Sequence, residues 1–466
     1  MSTRESNQDL NSATASSGSD DFTNGGRTAQ PTDGYGHGTH VAGIIAGDGG
    51  LSQKRYRGVA PKARLTGFKV LDSNGTGLTR RCHQCHRLRD RAQGQPRHRH
   101  HPTCHSAIRI YEPTASDPLV QAVEAASRAG IVVVTSAGNY GINPATGLPG
   151  YAGVVSPANA PSAITVGAVR TSDTNTRRDD RVAPATAHAG LRVTTALAKP
   201  DLVAPGHGIV SVAAHNGTLY VNNPGLRVGD NYLSLSGTSM AAGVVSGTVA
   251  LVLEANARIS RWTAGLTPNA VKAILQFSAV RLRDEEGALY NELTQGAGGI
   301  NPAGAVDLAA HIDPSQPVSA WWLTTGVPTE TVVAGETARL GAEHHLGQHD
   351  ELGSDRLRER ACMGPEHRVR ATTSCGATTI VCGNNIVWGN NIVWGNNIVW
   401  GNGLVEFCGW HRASCGFGVR RRSLVHRVGA TSRALRCRSD PRWRPAAVAS
   451  EAETRGGLGA AMEIML

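Results

Sequence analysis

Three short stretches place chemistry-bearing residues at the edges of apolar segments. In Leu235-Ser-Gly-Thr-Ser-Met-Ala-Ala-Gly-Val-Val-Ser-Gly-Thr-Val-Ala-Leu-Val-Leu253, a small-residue turn runs into a segment without charge until Glu254. This order predicts a turn feeding a buried helix, with Ser239 where turn becomes helix. The unpaired N–H groups of a first helical turn are suited to a developing oxyanion. Gly36-His-Gly-Thr-His-Val-Ala-Gly43 predicts a second small-residue helix with His40 near its start. Val132-Val-Val-Thr-Ser-Ala-Gly-Asn139 is an apolar strand ending on an asparagine amide. A hydroxyl, an imidazole and an amide donor are three parts of a serine acyl-transfer site. Taken alone, Gly237-Thr-Ser239 reads as a helix N-cap; the three stretches together argue for chemistry.

The elements that must position these residues read as an α/β chain. Arg64 to Leu71 predicts a strand, as do Ile131 to Thr135, Ala163 to Val169 and Ile209 to Ala213. Asp117 to Ala129 has Leu119, Val120, Val123 and Ala126 at helical spacing, and Gly130 ends it. Thr267 to Leu275 predicts a helix with Pro268 in its first turn. Strands alternating with helices predict a doubly wound, mostly parallel sheet with helices on both faces.

The motifs resemble the subtilisin-like serine proteases, or subtilases. The histidine motif is His37-Gly-Thr-His-Val-Ala-Gly43, the serine motif Gly237-Thr-Ser-Met-Ala-Ala242, and the oxyanion segment Ser136-Ala-Gly-Asn139. Gly58-Val-Ala-Pro61, Lys69-Val-Leu71 and Lys199-Pro-Asp-Leu-Val-Ala-Pro-Gly206 add to the match, which spans residues 21 to 311. The resemblance implies a subtilisin-like fold, Ser239 as nucleophile, His40 as base, and Asn139 as oxyanion donor. It also implies Ser136, Ala137 and Gly138 as substrate-binding residues, with His37 structural. It further implies an aspartate that orients the base, at the end of an apolar strand reading Asp-Ser/Thr-Gly. Asp9, Asp20, Asp21 and Asp33 precede His40, but none follows an apolar run. The sequence therefore starts just after the expected aspartate, and Asp33 is the residue that could take the orienting role.

The 466 residues allow one large domain plus additional material: residues 1–20 polar, 21–311 the peptidase-like domain, and 312–466 a C-terminal extension. Lys and Arg number 46 against 36 Asp and Glu. The excess sits in Arg-rich runs almost without Lys, which argues against a folded nucleic-acid surface. Residues 80 to 109 carry Arg, His and Cys with little to bury, so they cannot supply the strand a doubly wound sheet needs there. Cys82-His-Gln-Cys-His86 matches a haem-attachment pattern, and together with Cys104 it could bind zinc. Lost periodicity with this composition matches out-of-frame translation of GC-rich DNA. Residues 80–109 and 410–450 are therefore expected to be irregular and free of a metal cluster. Residues 185–196 form a second atypical patch. In the extension Gly383-Asn-Asn-Ile-Val-Trp388 recurs at 389 and 395, a six-residue period of short strands and turns.

The expected function is hydrolysis of peptide bonds by a serine endopeptidase, impaired because the orienting aspartate is absent. The alternative is an inactive subtilase-like fold that binds or supports other molecules. The resemblance implies polypeptide substrates, secretion and bound calcium; no other cofactor is implied. Met1 to Asp21 lacks the apolar centre of a signal peptide. Asn231 to Leu253 is long and uncharged, with Gly243-x-x-x-Gly247, but Ser, Gly and Thr break its first half. A closely packed core helix is expected, not a membrane span. Oligomeric state and peptide specificity are not legible.

Overall fold

The computed structural model describes residues 8–10, 19–25, 27–29, 32–78, 103–104, 114–143, 146–151, 153–184, 198–259, 265–316, 323, 326–333 and 335–341. It also describes five short strands, within 380–400 and at 461–465. The Cys82-x-x-Cys-His86 motif and the 185–196 and 410–450 stretches lie outside these residues.

A nine-stranded sheet organises the domain. In chain order its strands are β1 (Ser19–Asp21), β2 (Arg27–Ala29), β3 (Arg64–Lys69), β4 (Thr103–Cys104), β5 (Val134–Ser136), β6 (Ile164–Arg170), β7 (Arg181–Val182) and β8 (Leu202–Pro205). The ninth strand comes from Ala461–Met465 and is labelled β18 for its place in the chain. Across the sheet the order is β2-β1-β3-β18-β4-β5-β6-β7, with β8 also on β6. Pairing is parallel from β1 through β3, β18, β4, β5 and β6 to β8. The antiparallel strands are β2, at one edge, and β7, which pairs with the end of β6.

The strand at Thr103–Cys104 corrects the expectation that residues 80 to 109 contribute none. It needs no apolar run, because it is two residues long and pairs in register with Val134 and Thr135. A β-branched Thr and a Cys are enough at that length.

Helices pack on both faces, and β5 shows why. Val132 and Val134 face α3 (Thr238–Ile259), in a core shared with Val245, Val249, Leu202 and Ile274. Ile131 and Val133 join Val120, Val123 and Ala126 of α2 (Pro118–Arg128) on the opposite face. Every second side chain of an extended segment points the same way, so an unbroken run of Val and Ile serves two layers. Asp117 caps α2, accepting from Leu119 N at 2.9 Å. Thr267 likewise caps α4 (Pro268–Ser278), accepting from Ala270 N at 3.1 Å. The helix α1 (His37–Ala46) places Val41, Ile44 and Ile45 against Leu65 of β3 and Met240 of α3. The α3 helix is long and apolar enough to span a membrane, yet most of it is buried within the protein. Its glycines fit this packing: a Cβ built on Gly247 would lie 2.5 Å from Val59 Cβ. The last helix of the domain, α5 (Pro302–Ala310), closes the α3 face through Leu308 and Ala309.

Strands β9 (Ile209–Val212), β10 (Arg227–Val228) and β11 (Tyr232–Leu235) form a separate antiparallel sheet that leads into α3. Strands β12 (Glu330–Val333) and β13 (Glu336–Arg339) form a hairpin. In the hexapeptide region, β14 (Ile380–Cys382) pairs in parallel with β16 (Ile392–Trp394). Likewise β15 (Val387–Trp388) pairs in parallel with β17 (Val399–Trp400). Partners are twelve residues apart, so two hexapeptides make one coil with two strands. Ile380-Val381-Cys382 stands in the first of these strands, a fourth and degenerate copy of the repeat.

Candidate active site

Ser239 is the second residue of α3 and is half-buried. The turn before it is held from two sides. Gly237 N donates to Gly206 O at 2.7 Å, which ties the serine motif to the Lys199-to-Gly206 segment. Gly206 must be glycine: a Cβ there would lie 2.8 Å from both Ala168 Cβ and Gly237 O. From the other side, Asn139 Oδ1 accepts from Thr238 N at 3.0 Å and from Thr238 Oγ1 at 3.2 Å. Gly138 N donates to Thr238 Oγ1 at 3.1 Å. The asparagine carbonyl is thus occupied, and its exposed amide end remains beside the start of α3. Ser136 and Ala137 are buried next to it, and Gly138 adopts φ of 103°. That left-handed backbone favours glycine. The segment Ser136–Asn139 and the Ser239 turn are therefore one assembly.

His40 is fully buried in the first turn of α1. Ser211 Oγ donates to the His40 carbonyl at 2.8 Å, which fixes the backbone from β9. The Nε2 atom lies 3.0 Å from Leu233 O on β11. A carbonyl can only accept, so Nε2 carries the proton and the lone pair resides on Nδ1. Nδ1 is buried and has no hydrogen-bond partner among the described residues. Burial lowers the pKa of His40 to about 4; backbone hydrogen bonding at Leu233 opposes this, neighbouring His37 adds to it, and backbone hydrogen bonding at Ile209 opposes it further. The ring is therefore neutral at pH 7. His37 is also pulled down by desolvation, partly offset by Asp33. No hydrogen bond joins Ser239 to His40 among the described residues, although α1 and α3 pack together through Val41, Ile44 and Gly243.

The four acidic residues before His40 do not pair with Nδ1. Asp33 serves the backbone of α1 instead. Its Oδ1 accepts from Gly36 N at 2.7 Å and Tyr35 N at 3.2 Å. Its Oδ2 accepts from Thr39 N at 2.8 Å and Thr39 Oγ1 at 2.9 Å. A carboxylate so placed holds the N-terminal turn of α1 and complements its dipole. Both carboxylate oxygens of Asp33 are thus engaged by the first turn of α1. Asp21 accepts from Thr23 and lies 3.8 Å from Lys69 Nζ. Asp9 is buried and accepts from Leu51 N at 2.7 Å and from Tyr232 Oη.

Among the described residues no three His, Cys, Asp or Glu side chains stand together as a metal site. Thr238 and the Leu233 carbonyl are the site members that the sequence motifs did not single out. Thr238 lies inside Gly237-Thr-Ser239, where its neighbour draws the attention; a backbone carbonyl leaves no sequence signal at all.

Comparison with known proteins adds three findings. A sequence profile of the subtilase family matches residues 4–298. The chain is 34% identical over 281 residues to serine protease AprX of Bacillus subtilis (strain 168), covering 59% of each protein. It is 32% identical over 222 residues to subtilisin DY of Bacillus licheniformis, covering 48% of this chain and 65% of that protein. The chain thus spans 59% and 65% of the length of these two relatives. Among solved structures, Sphericase aligns with a TM-score of 0.46 at 25% identity, over 63% of this chain and 87% of that one.

Proposed function

The chain belongs to the subtilase family, and we propose that it acts on polypeptides as a serine endopeptidase of low turnover. In this reading Ser239 Oγ attacks the scissile carbonyl and its proton passes to His40. The oxyanion that forms accepts from the Asn139 amide. Ser136, Ala137 and Gly138 line the substrate's path beside it. His40 then returns the proton to the leaving amine, and water releases the acyl group by the same route. The observation that carries this reading is the clamp of Asn139 on Thr238. It fixes an amide donor one residue from the serine at a helix N-terminus.

The state of His40 supports the low turnover. To accept the Ser239 proton, the ring must bring a lone pair to face Oγ, and Nε2 now donates to Leu233 O. Releasing Nε2 from Leu233 O for that step gives up one hydrogen bond, about 1 kcal/mol. The imidazolium formed in the reaction would then have no carboxylate at Nδ1 among the described residues. In subtilisin, a relative of this chain, loss of the orienting aspartate lowers kcat about 3 × 10⁴-fold while leaving residual catalysis. Secretion fits the same family reading, and export from an expressing cell would check it.

The same orphaned Nδ1 favours a second reading, a subtilase fold that binds peptides without cleaving them. A fluorophosphonate probe separates the two. A covalent adduct on Ser239, with slow peptide hydrolysis lost in Ser239→Ala, supports the peptidase. Peptide binding without adduct or cleavage supports the binder.

A further inference from the structure

The antiparallel ribbon of β9 and β11 holds His40 at two points from a single rung. Ser211 of β9 and Leu233 of β11 stand opposite each other in its register. Ser211 Oγ donates to the His40 carbonyl at 2.8 Å, and His40 Nε2 donates to Leu233 O at 3.0 Å. The fit around this rung is close: a Cβ built on Gly43, one turn further along α1, would lie 2.3 Å from Ser211 Oγ. Next to Leu233 stands Tyr232, a buried residue whose hydroxyl donates to Asp9 Oδ2. Asp9 is fully buried; its Oδ1 accepts from Leu51 N at 2.7 Å, and its carbonyl accepts from Asp48 N at 2.9 Å. Leu10 beside it enters the apolar core that α1 forms with Leu65 and Met240. A carboxylate in such a place is stable only while its donors stay in position. Neither Asp9 nor Tyr232 takes part in the acyl transfer. Together they bolt β11 one residue from the carbonyl that holds the imidazole. Beyond Leu233 the same strand runs through Ser236 and Gly237 into α3 and Ser239.

We propose that this rung is a latch on the base: Ser211 and Tyr232 are positioning residues that keep the His40 ring turned to Leu233 O, and Asp9 is the bolt that fixes Tyr232. The proposal rests on His40 serving Ser239 as base. In the latched state Nε2 carries the proton and is committed to a main-chain acceptor, so it cannot take a proton from Ser239 Oγ. Catalysis draws on the fraction of molecules in which the ring has left Leu233 O. The latch lowers that fraction about fivefold, the factor that one hydrogen bond contributes. Release requires movement of β11 or of the first turn of α1, and both are tied. Tyr232 and Asp9 hold the strand, and Ser211 holds the helix. A residue that only supports the fold lowers activity when it is cut back. A residue that sets the latch raises it.

Nitrogen NMR of the full chain carrying isotope-labelled histidine tests this, alongside fluorophosphonate labelling of Ser239. The His40 signals are those lost in His40→Asn. In the parent chain they should show a neutral ring protonated at Nε2, with an Nε2–H proton that exchanges slowly. Tyr232→Phe keeps the ring packed on Tyr56, with centroids 4.9 Å apart, and removes only the hydroxyl. That variant and Ser211→Ala should each speed exchange of the Nε2–H proton about fivefold and label Ser239 about fivefold faster. Tyr220→Phe removes a hydroxyl that donates to Asp230 O on the exposed loop, and it should match the parent in both readouts. A parent ring protonated at Nδ1 would overturn the proposal. So would folded Tyr232→Phe and Ser211→Ala chains whose His40 signals exchange as in the parent. If no chain reacts with the probe, the peptidase reading fails, and the exchange rates still decide whether the latch exists.

Discussion

The buried imidazole makes stability depend on pH in a way that one substitution isolates. His40 has its pKa lowered from an ordinary 6.5 to about 4 by burial. Above pH 6.5 the ring is neutral in folded and unfolded chains alike, and it contributes no pH dependence. As the pH falls below 6.5 the unfolded chain binds a proton that the folded chain refuses. Stability therefore falls with pH until about pH 4, where the folded protein also protonates. A gap of about 2.5 pKa units corresponds to roughly 3 kcal/mol across that window. Full burial means that solvent does little to screen the effect. His40→Asn removes the titrating group while keeping an amide of similar shape beside Leu233 O. The assay is urea unfolding of both chains, followed by tryptophan fluorescence at steps from pH 7.5 to 4.5. The parent should lose about 3 kcal/mol more than the variant between these limits. Asp180, raised to about 6 by burial, titrates in both chains and cancels in the difference, whereas His37, which interacts with His40, contributes to it. Parallel pH curves for parent and variant would refute the reasoning, because they would mean that His40 is solvated in the folded protein.

Three further outcomes follow from the geometry. Asn139→Asp keeps an acceptor for Thr238 but replaces the amide donor with a negative oxygen; Ser239 labelling by a fluorophosphonate should slow about 10²- to 10³-fold with little change in melting temperature. Asp201 is buried with Lys199 Nζ at 2.7 Å and Lys272 Nζ at 2.8 Å. Asp201→Asn strands two ammonium groups and should cost about 3–5 kcal/mol in urea unfolding, whereas an unchanged midpoint would show that water reaches the cluster. Gly247→Ala drives a methyl group onto Val59 and should cost about 1–3 kcal/mol. Val59→Ala should recover part of that loss in a double-mutant cycle.

The parts of this fold that were legible in the sequence are those encoded locally. Leu119, Val120, Val123 and Ala126 at helical spacing gave α2, and the Val and Ile run before Asn139 gave β5 because both faces of that strand are covered. Ser239 and His40 were legible as residues at helix starts, since small residues and turns mark those positions within a few residues. The acidic residue Asp33 was visible, but its role was not. Whether a carboxylate caps its own helix or reaches the imidazole depends on the path of the Gly34-Tyr-Gly36 turn. The direction of the His40 ring was hidden because its partner is a main-chain carbonyl nearly two hundred residues away. The strands at Thr103 and Ala461 were missed because parallel pairing leaves no local signature in so short a segment. The doubled period of the hexapeptides was obscured at Ile380-Val381-Cys382, where Cys382 stands where later copies have Trp.

The central claim, that Ser239 is a nucleophile served by His40 and Asn139, is tested most directly by intact-protein mass spectrometry after exposure of the full chain to a fluorophosphonate. The account predicts a single adduct that maps to Ser239, forms slowly, is absent from Ser239→Ala and is strongly slowed in His40→Asn. A folded chain that takes up no probe, or one whose adduct persists in Ser239→Ala, would contradict it.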